Sequence, residues 1–497
     1  MNSTFKPALL LMGGRMVAFA MTFFIPVVLV RVFDQTEFGT YKQMFLVYAT
    51  LLGILQFGMA ESLYYFIPLT DNKAGRYTAN ALLVLAVAGS IGLALITWKA
   101  PLVARWIGND ALAAYLPAVG LYVLLSVISI VLEIVMISRQ RFRTTAATYV
   151  ISEMLRAAAF IFPALLTGSL EWLLIGVVAY AAVRLVVTLI YVFREFGGYV
   201  VPDSDALKKQ LVYALPFAAS SLLADWGTQF HQYAVSHYFD AATFAIYAVG
   251  CLNVPLVELV HGPVGNVMMV RMAECVKDGR HDAVLSIWND TTRKLALVFF
   301  PMLGMSIVCA REVIVFLFTS NYLASVPIFI IWSFTMLLPV FQTDAVLRVY
   351  AETRFLLYAY AFKLVATVAL FYAFMRMFDV WFAAVVTVGV SFMTKILCVA
   401  RFKRLAKIAL PELLPWKSLA SNAVITTASA AAVLLIKPYL EAPTLVILVA
   451  TAAMFALAYI GLALASGVVS AEERRALVDA LQRIPWRAAK VGAPLKN

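Results

Sequence analysis

Charge is what this sequence has least of. Asp, Glu, Lys and Arg make up 13% of its 497 residues, about half the share of an average soluble domain. A large solvated surface is excluded. Cysteine is scarce as well: Cys251, Cys275, Cys309 and Cys398 stand far apart and offer neither a disulfide framework nor a metal site. There is no phosphate-cradling glycine loop, no metal-ligand spacing and no nucleophile with a matched base. These gaps argue against an enzyme, a metal and a cofactor. The first apolar run has only Lys6 before it and no A-x-A site after it, so it does not read as a cleavable leader. No stretch between apolar runs is long enough for a soluble domain.

What fills the space is hydrocarbon. The chain is 63% hydrophobic with a mean hydropathy of +0.89. Its apolar residues come in runs such as "LLVLAVAGSIGLALITW", long enough to cross a bilayer as helices. About fourteen segments qualify: 7–32, 41–67, 77–99, 112–137, 144–167, 170–193, 210–236, 242–270, 287–310, 324–348, 354–375, 379–400, 418–436 and 444–465. The expected fold is an all-α membrane protein, because every backbone group in lipid must be bonded within its own helix.

The net charge of +12 is explained by where it falls rather than by nucleic acid. With both termini in the cytoplasm, roughly 27 Lys and Arg lie on the inner side and roughly 7 on the outer, a strong positive-inside bias. The expected topology is multi-pass, with an even number of crossings and both ends inside.

Two stretches repeat. "VFDQTEFGTYKQ" (32–43) and "YFDAATFAIYAV" (238–249) share F-D-x-x-x-F-x-x-Y, so Phe33, Asp34, Phe38 and Tyr41 recur as Phe239, Asp240, Phe244 and Tyr247. Each copy reads as a helix start, with Asp as N-cap and the two Phe as a hydrophobic staple; Glu37 completes a capping box in the first copy. "RQRF" (139–142) is echoed more weakly by "ETRF" (352–355). The first connector joins segments 1 and 2, the second joins segments 7 and 8. An even number of crossings separates them, so both units have one orientation: a parallel repeat of two six-helix lobes. The expected division is 1–205 and 206–405 for the lobes, 406–467 for a terminal helix pair with an amphipathic linker before it, and 468–497 for a cytoplasmic amphipathic tail. Two such lobes suit alternating access to a site between them.

Ionisable residues inside the segments include Arg15, Glu61, Glu133, Glu153, Arg156, Arg184, Asp225, His231, Glu258, His261, Asp344, Lys363 and Lys395. Each costs about 2.5–3.5 kcal/mol or more against lipid, so most must face a wet cavity, a partner or a helix interface. On segment 7, Ser221, Asp225, Gln229, Gln232 and Ser236 share one face with His231 beside it, either lining a cavity or gluing helices together. Segment 8 carries Asn253, Glu258 and His261 between Pro255 and Pro263, which marks it as bent or broken. Arg15 suits a phosphate, since its fork bonds two oxygens at once, or snorkels to the interface. Glu153 and Arg156 are spaced to pair on one helix face. Arg184 and Lys363 lie deeper and stay open. The candidate substrate-binding set is Arg15, Glu61, Arg184, Asp225, Gln229, His231, Gln232, Asn253, Glu258, His261 and Lys363.

The connector "FDQTEFGTYKQ" with Gly39 and Tyr41, the "RQRF" connector and the second copy at 239–247, where Ala245 replaces the glycine, resemble the multidrug/oligosaccharidyl-lipid/polysaccharide exporter superfamily, most closely its Wzx-type polysaccharide flippases. The resemblance covers nearly the whole chain. It implies a flippase for an undecaprenyl-diphosphate-linked oligosaccharide, with membrane lipids, a polysaccharide polymerase and chain-length machinery as partners. It carries a headgroup-binding role onto Arg15, and a similarity of the last two helices to the lipid-groove helices of lipid II flippases. Rival readings are a cation-coupled drug exporter, a lipid II flippase, and a membrane polymerase or ligase.

Overall fold

A computed structural model describes residues 5–70, 73–197, 200–374 and 377–468; at residues 5–12, 15, 217, 219–221, 223–225 and 281 the description is of backbone alone. All secondary structure among the described residues is helical. The rods are α1 (Phe5–Leu29), α2 (Gln35–Leu55 with Met59–Leu69), α3 (Ala74–Trp98), α4 (Leu112–Ser138), α5 (Phe142–Thr167), α6 (Leu170–Phe196), α7 (Ser204–Tyr238), α8 (Ala241–Gly250 with Pro255–Lys277), α9 (His281–Val308), α10 (Ser320–Val349), α11 (Thr353–Phe374), α12 (Trp381–Ala406), α13 (Trp416–Ile436) and α14 (Thr444–Ala465). Ten are long and apolar enough to cross a membrane, or twelve if the bent α2 and α8 each count as one span. The expected fourteen crossings are therefore not all established: α1 and α7 do not reach that length and hydropathy over their described residues. The proposed tail helix lies outside the described residues.

Helices α1–α6 pack on one another, chiefly α1 on α5, α3 on α4, and α6 on α4 and α5. Helices α8–α12 form a second bundle, with α11 on α12 and α9 on α8 and α10, while α13 and α14 lie against α9. Helix α7 bridges the two. Its first half buries Ala206 and Ala214 among first-bundle residues, and its last half buries Ala234 and Val235 with Phe244 and Phe371.

Both connectors are built as their chemistry dictates. Asp34 accepts from the Glu37 amide at 2.8 Å in a complete capping box, and Asp240 accepts from the Thr243 amide at 2.8 Å. Phe33, Phe38 and Phe244 are buried. The two copies meet: a Cβ added to Gly39 would stand 1.8 Å from the carbonyl oxygen of Ala241. That contact, which only glycine permits, brings α2 against α8 and joins the bundles at the connector end.

The same end carries a reciprocal clasp. A short helix follows α3 (Ala100–Ile107) and another follows α9 (Ala310–Phe318). Arg31, at the end of α1, donates to the carbonyls of Phe316 (2.5 Å) and Leu317 (2.7 Å) in the second bundle's short helix. His237 Nδ1, at the end of α7, lies 2.5 Å from the carbonyl of Trp106 in the first bundle's short helix. Each side chain thus serves the terminal carbonyls that a helix leaves unbonded. Arg31 and His237 occupy the same place two residues before the Phe-Asp of each connector copy. Between them runs a buried polar chain. Asn109 donates to Thr40 (2.9 Å) and Gln43 (2.6 Å), Gln43 to Ser236 (2.8 Å), and Ser236 to the carbonyl of Ile107 (3.3 Å).

Helices α2 and α8 are both interrupted. In α2, Phe57 and Gly58 take left-handed backbone angles (φ 48° and 65°) and turn the rod by 42°. In α8, Val254 is extended ahead of Pro255, as a residue before proline prefers, and the rod turns by 52°. The second proline, Pro263, lies inside a continuous helix.

Candidate functional site

Past their breaks, α2 and α8 part company. The Met59–Leu69 piece of α2 packs on α3, α4 and α7, whereas the Pro255–Lys277 piece of α8 packs chiefly on α9 and α10. Their main partners lie on opposite sides, so the end away from the connectors is where the bundles separate. Each piece opens with a carboxylate in its first turn, Glu61 and Glu258, a place that the positive end of the helix dipole favours. Glu61 is partly buried, and its Oε2 has no hydrogen-bond partner. Glu258 is exposed, His261 one turn on is partly buried, and its Nδ1 is without a partner. Asn253 sits in the break of α8, accepting from Trp332 Nε1 at 3.1 Å. On α2, Tyr64 and Tyr65 follow Glu61 on the exposed side, and Tyr65 stacks on Tyr213 with ring centroids 4.8 Å apart.

Other expected residues are engaged elsewhere. Arg184 on α6 holds both oxygens of Glu133 on α4, at 2.7 and 2.9 Å, and also reaches the Tyr180 hydroxyl at 3.1 Å. His231 is buried in the second bundle, with Nδ1 2.8 Å from the Tyr247 hydroxyl and its ring against Trp332. Gln229 accepts from Thr50 at 3.4 Å beside a recess of about 20 Å³ lined also by Trp226 and Tyr233, room for about one water. Gln229 and Ser236 of the α7 polar stripe thus both bond to side chains of α2. Gln232 is partly buried. Arg15 lies in α1 and Asp225 in α7, with side chains outside the description.

Lys363 on α11 is partly buried, and its ammonium has no hydrogen bond or ion pair among the described residues. It lies within electrostatic reach of His231, Lys395 and Asp344. Asp344 on α10 pairs with Lys395 on α12 at 3.1 Å, and it also accepts from the hydroxyls of Thr343 (3.2 Å) and Tyr360. Glu153 and Arg156 pair at 2.5 Å on one face of α5, as their spacing predicts, and share Thr22 of α1. The connector-end residues Arg31, Gln43, Asn109 and His237 were not singled out from the sequence; the signal was present for two of them, as the position before each Phe-Asp. Among the described residues no group of His, Cys, Asp or Glu is placed to hold a metal ion.

A paired set of interrupted helices at the parting of two like bundles is the geometry of a transporter, and comparison with known proteins gives the family. A family model described as "Polysaccharide biosynthesis protein" matches residues 28–327. The chain belongs to this polysaccharide biosynthesis family. No curated protein sequence matches it. Among solved structures, the lipid II flippase MurJ in an inward closed conformation superposes with a TM-score of 0.70 at 13% identity, covering 93% of this chain and all of that one (100%). An inward-facing multidrug-resistance MATE transporter of the MOP superfamily gives 0.62 at 13% identity over 80% of this chain and 98% of that one. The outward-facing MATE form gives 0.55 at 12% identity over 80% and 94%. The family member described here is thus a multi-pass helical membrane protein with the fold of flippases and transporters.

Proposed function

We propose that the protein flips an undecaprenyl-diphosphate-linked oligosaccharide from the cytoplasmic to the outer leaflet of a bacterial inner membrane, by alternating access between lobes 1–205 and 206–405. The observation that carries this reading is that the corresponding helices α2 and α8 of the two halves are both interrupted, α2 after Leu55 and α8 after Gly250, and part from each other beyond their breaks. Such interruptions in corresponding segments point to the transport site. With the basic end in the cytoplasm and both termini there, the parted end opens toward the side where the substrate is made. The sugar diphosphate enters between α1, α2, α7 and α8 while the lipid tail stays in the bilayer. Arg15 holds phosphate; Glu61, Asn253, Glu258 and His261 meet the sugar or exchange a proton or cation; Lys363 supplies further positive charge from the second lobe. Asp225, Gln229, Gln232, His231 and Arg184 stand behind this set. An interior-negative potential favours outward passage of the diphosphate by about 2.3 kcal/mol per charge per 100 mV. No bond is made or broken. The surface polysaccharide polymerase and its chain-length machinery receive the product.

Reconstitution tests this. Vesicles holding the protein and a lipid-diphosphate oligosaccharide in one leaflet should show the glycan becoming accessible to an added glycosidase. Arg15→Ala should slow that exposure at least tenfold. Glycan exposure equal to that of protein-free vesicles, with dye efflux instead, would replace this reading with drug export.

A further inference from the structure

A further apolar recess lies outside α1, α2, α7 and α8. At the basic end, α9, α10, α12, the short turn Leu410–Leu413 and the start of α13 enclose a groove of about 580 Å³. Its walls are hydrocarbon and ring: Phe300, Phe341, Phe392, Ile396 and Val399. Two ionisable side chains line it, Lys395 and Lys403, and no carboxylate does. Lys395 is committed to Thr343 and Asp344, at 2.9 and 3.1 Å. Lys403, in the last turn of α12, is half-buried, and its ammonium has no hydrogen-bond or ion-pair partner among the described residues. Trp416 is half-exposed at the mouth, with Nε1 donating to the carbonyl of Leu410 at 3.0 Å. An indole held at the end of an apolar slot is where the headgroup level of a bilayer falls. A slot of hydrocarbon ending at one unpaired cation is complementary to a hydrocarbon chain ending at one anion.

We propose that this groove seats an acyl chain of an anionic phospholipid of the inner leaflet, with the lipid phosphate on Lys403. The occupant is a resident lipid of the bilayer rather than the transported one. A zwitterionic headgroup places its own cation beside the lysine and loses the advantage. One lysine at the membrane surface gives about a fivefold preference for the anionic lipid. The proposal is independent of the transport reading, because lipid retention is measured without flipping.

The full-length protein, purified from nanodiscs of equal phosphatidylglycerol and phosphatidylcholine, is analysed for co-purifying lipid by native mass spectrometry. The wild type should retain phosphatidylglycerol about fivefold over phosphatidylcholine. Lys403→Glu, at a half-exposed position that leaves the core intact, should abolish the preference. Ala400→Trp, which fills the groove from an exposed site on its wall, should reduce retention of both lipids, with Val399→Phe as a second filling variant should the first fail to fold. Equal retention of the two lipids by the wild type, or unchanged retention in both filling variants, would overturn the proposal. So would undecaprenyl phosphate displacing phosphatidylglycerol at equal mole fraction, since the groove would then belong to the transported lipid.

Discussion

The two halves carry the same internal brace in different chemistry. Asp344 lies 211 positions after Glu133, and Lys395 lies 211 positions after Arg184. In each half the fourth rod is tied to the sixth by one ion pair. In the first half the tie is an arginine fork on both oxygens of a carboxylate whose side chain is 6% exposed. In the second it is a lysine on one oxygen of a carboxylate whose side chain is 35% exposed and which also accepts from Tyr360. A planar guanidinium matches a carboxylate in a way a point ammonium does not. The first bundle is therefore the more firmly braced, and the second holds the charges that can exchange partners. A second tie shows the same duplication with the signs reversed. Arg139 meets Glu195 at 3.5 Å in the first half, and Glu352 meets Arg401 at 2.7 Å in the second. The second ties join the same regions of each half without matching position for position, and the side that supplies the cation is exchanged.

Breaking the halves apart should have the largest effect. Gly39→Val drives a branched side chain into the Ala241 carbonyl, which has no flexible end to yield. The connector end should fail to close, seen as loss of a disulfide engineered between α2 and α8 and as loss of transport. Next, Glu133→Ala leaves Arg184 buried without its partner and should cost about 3–5 kcal/mol, read as a fall in thermal midpoint in detergent. The matching Asp344→Ala should cost about 1–2 kcal/mol, between a buried and a surface pair. Equal losses would show the two braces to be equivalent. Of similar size, Arg31→Ala removes two exposed charge-assisted bonds across the clasp, about 1.5 kcal/mol, and smaller again, His237→Ala removes one, about 0.5–1 kcal/mol. Both are measured as faster labelling of a cysteine placed at the connector end.

The smallest effect is a pH dependence at the start of α7. The Asp203 carboxyl is held below the usual carboxylate range by the amide of Ala206, which it caps, and by Arg76 at 2.7 Å. A depressed folded value adds stability that is complete above the unfolded carboxylate range and is lost as pH falls through the folded value. As pH falls below the unfolded carboxylate range, about 4, the thermal midpoint of the wild type should fall slightly more steeply than that of Asp203→Asn.

Local chemistry was the legible part. The Asp34 and Asp240 caps, the Glu153–Arg156 pair and the break ahead of Pro255 each depend on residues within a few positions of one another, and all are present. The rods were legible too, because hydropathy is a property of a run. The break in α2 was not: its left-handed pair includes Phe57, which carries no breaker signal. Nor could the sequence assign partners. Arg184 and Glu133 are 51 residues apart, and nothing in either position says that one will find the other rather than a substrate phosphate. The α7 stripe shows the same limit, since periodicity places Gln229 and Ser236 on one face but not what that face meets.

The exchange of side chains at the connector end has a consequence for how the halves could ever come apart. Neither bundle finishes its own short helix: the first lends Arg31 to Phe316 and Leu317, and the second lends His237 to Trp106. Separation there strips both helix ends of their donors in the same movement. Opening should behave as one concerted event with a sharp onset, and a half produced on its own should be left with a bare helix end seeking its missing twin.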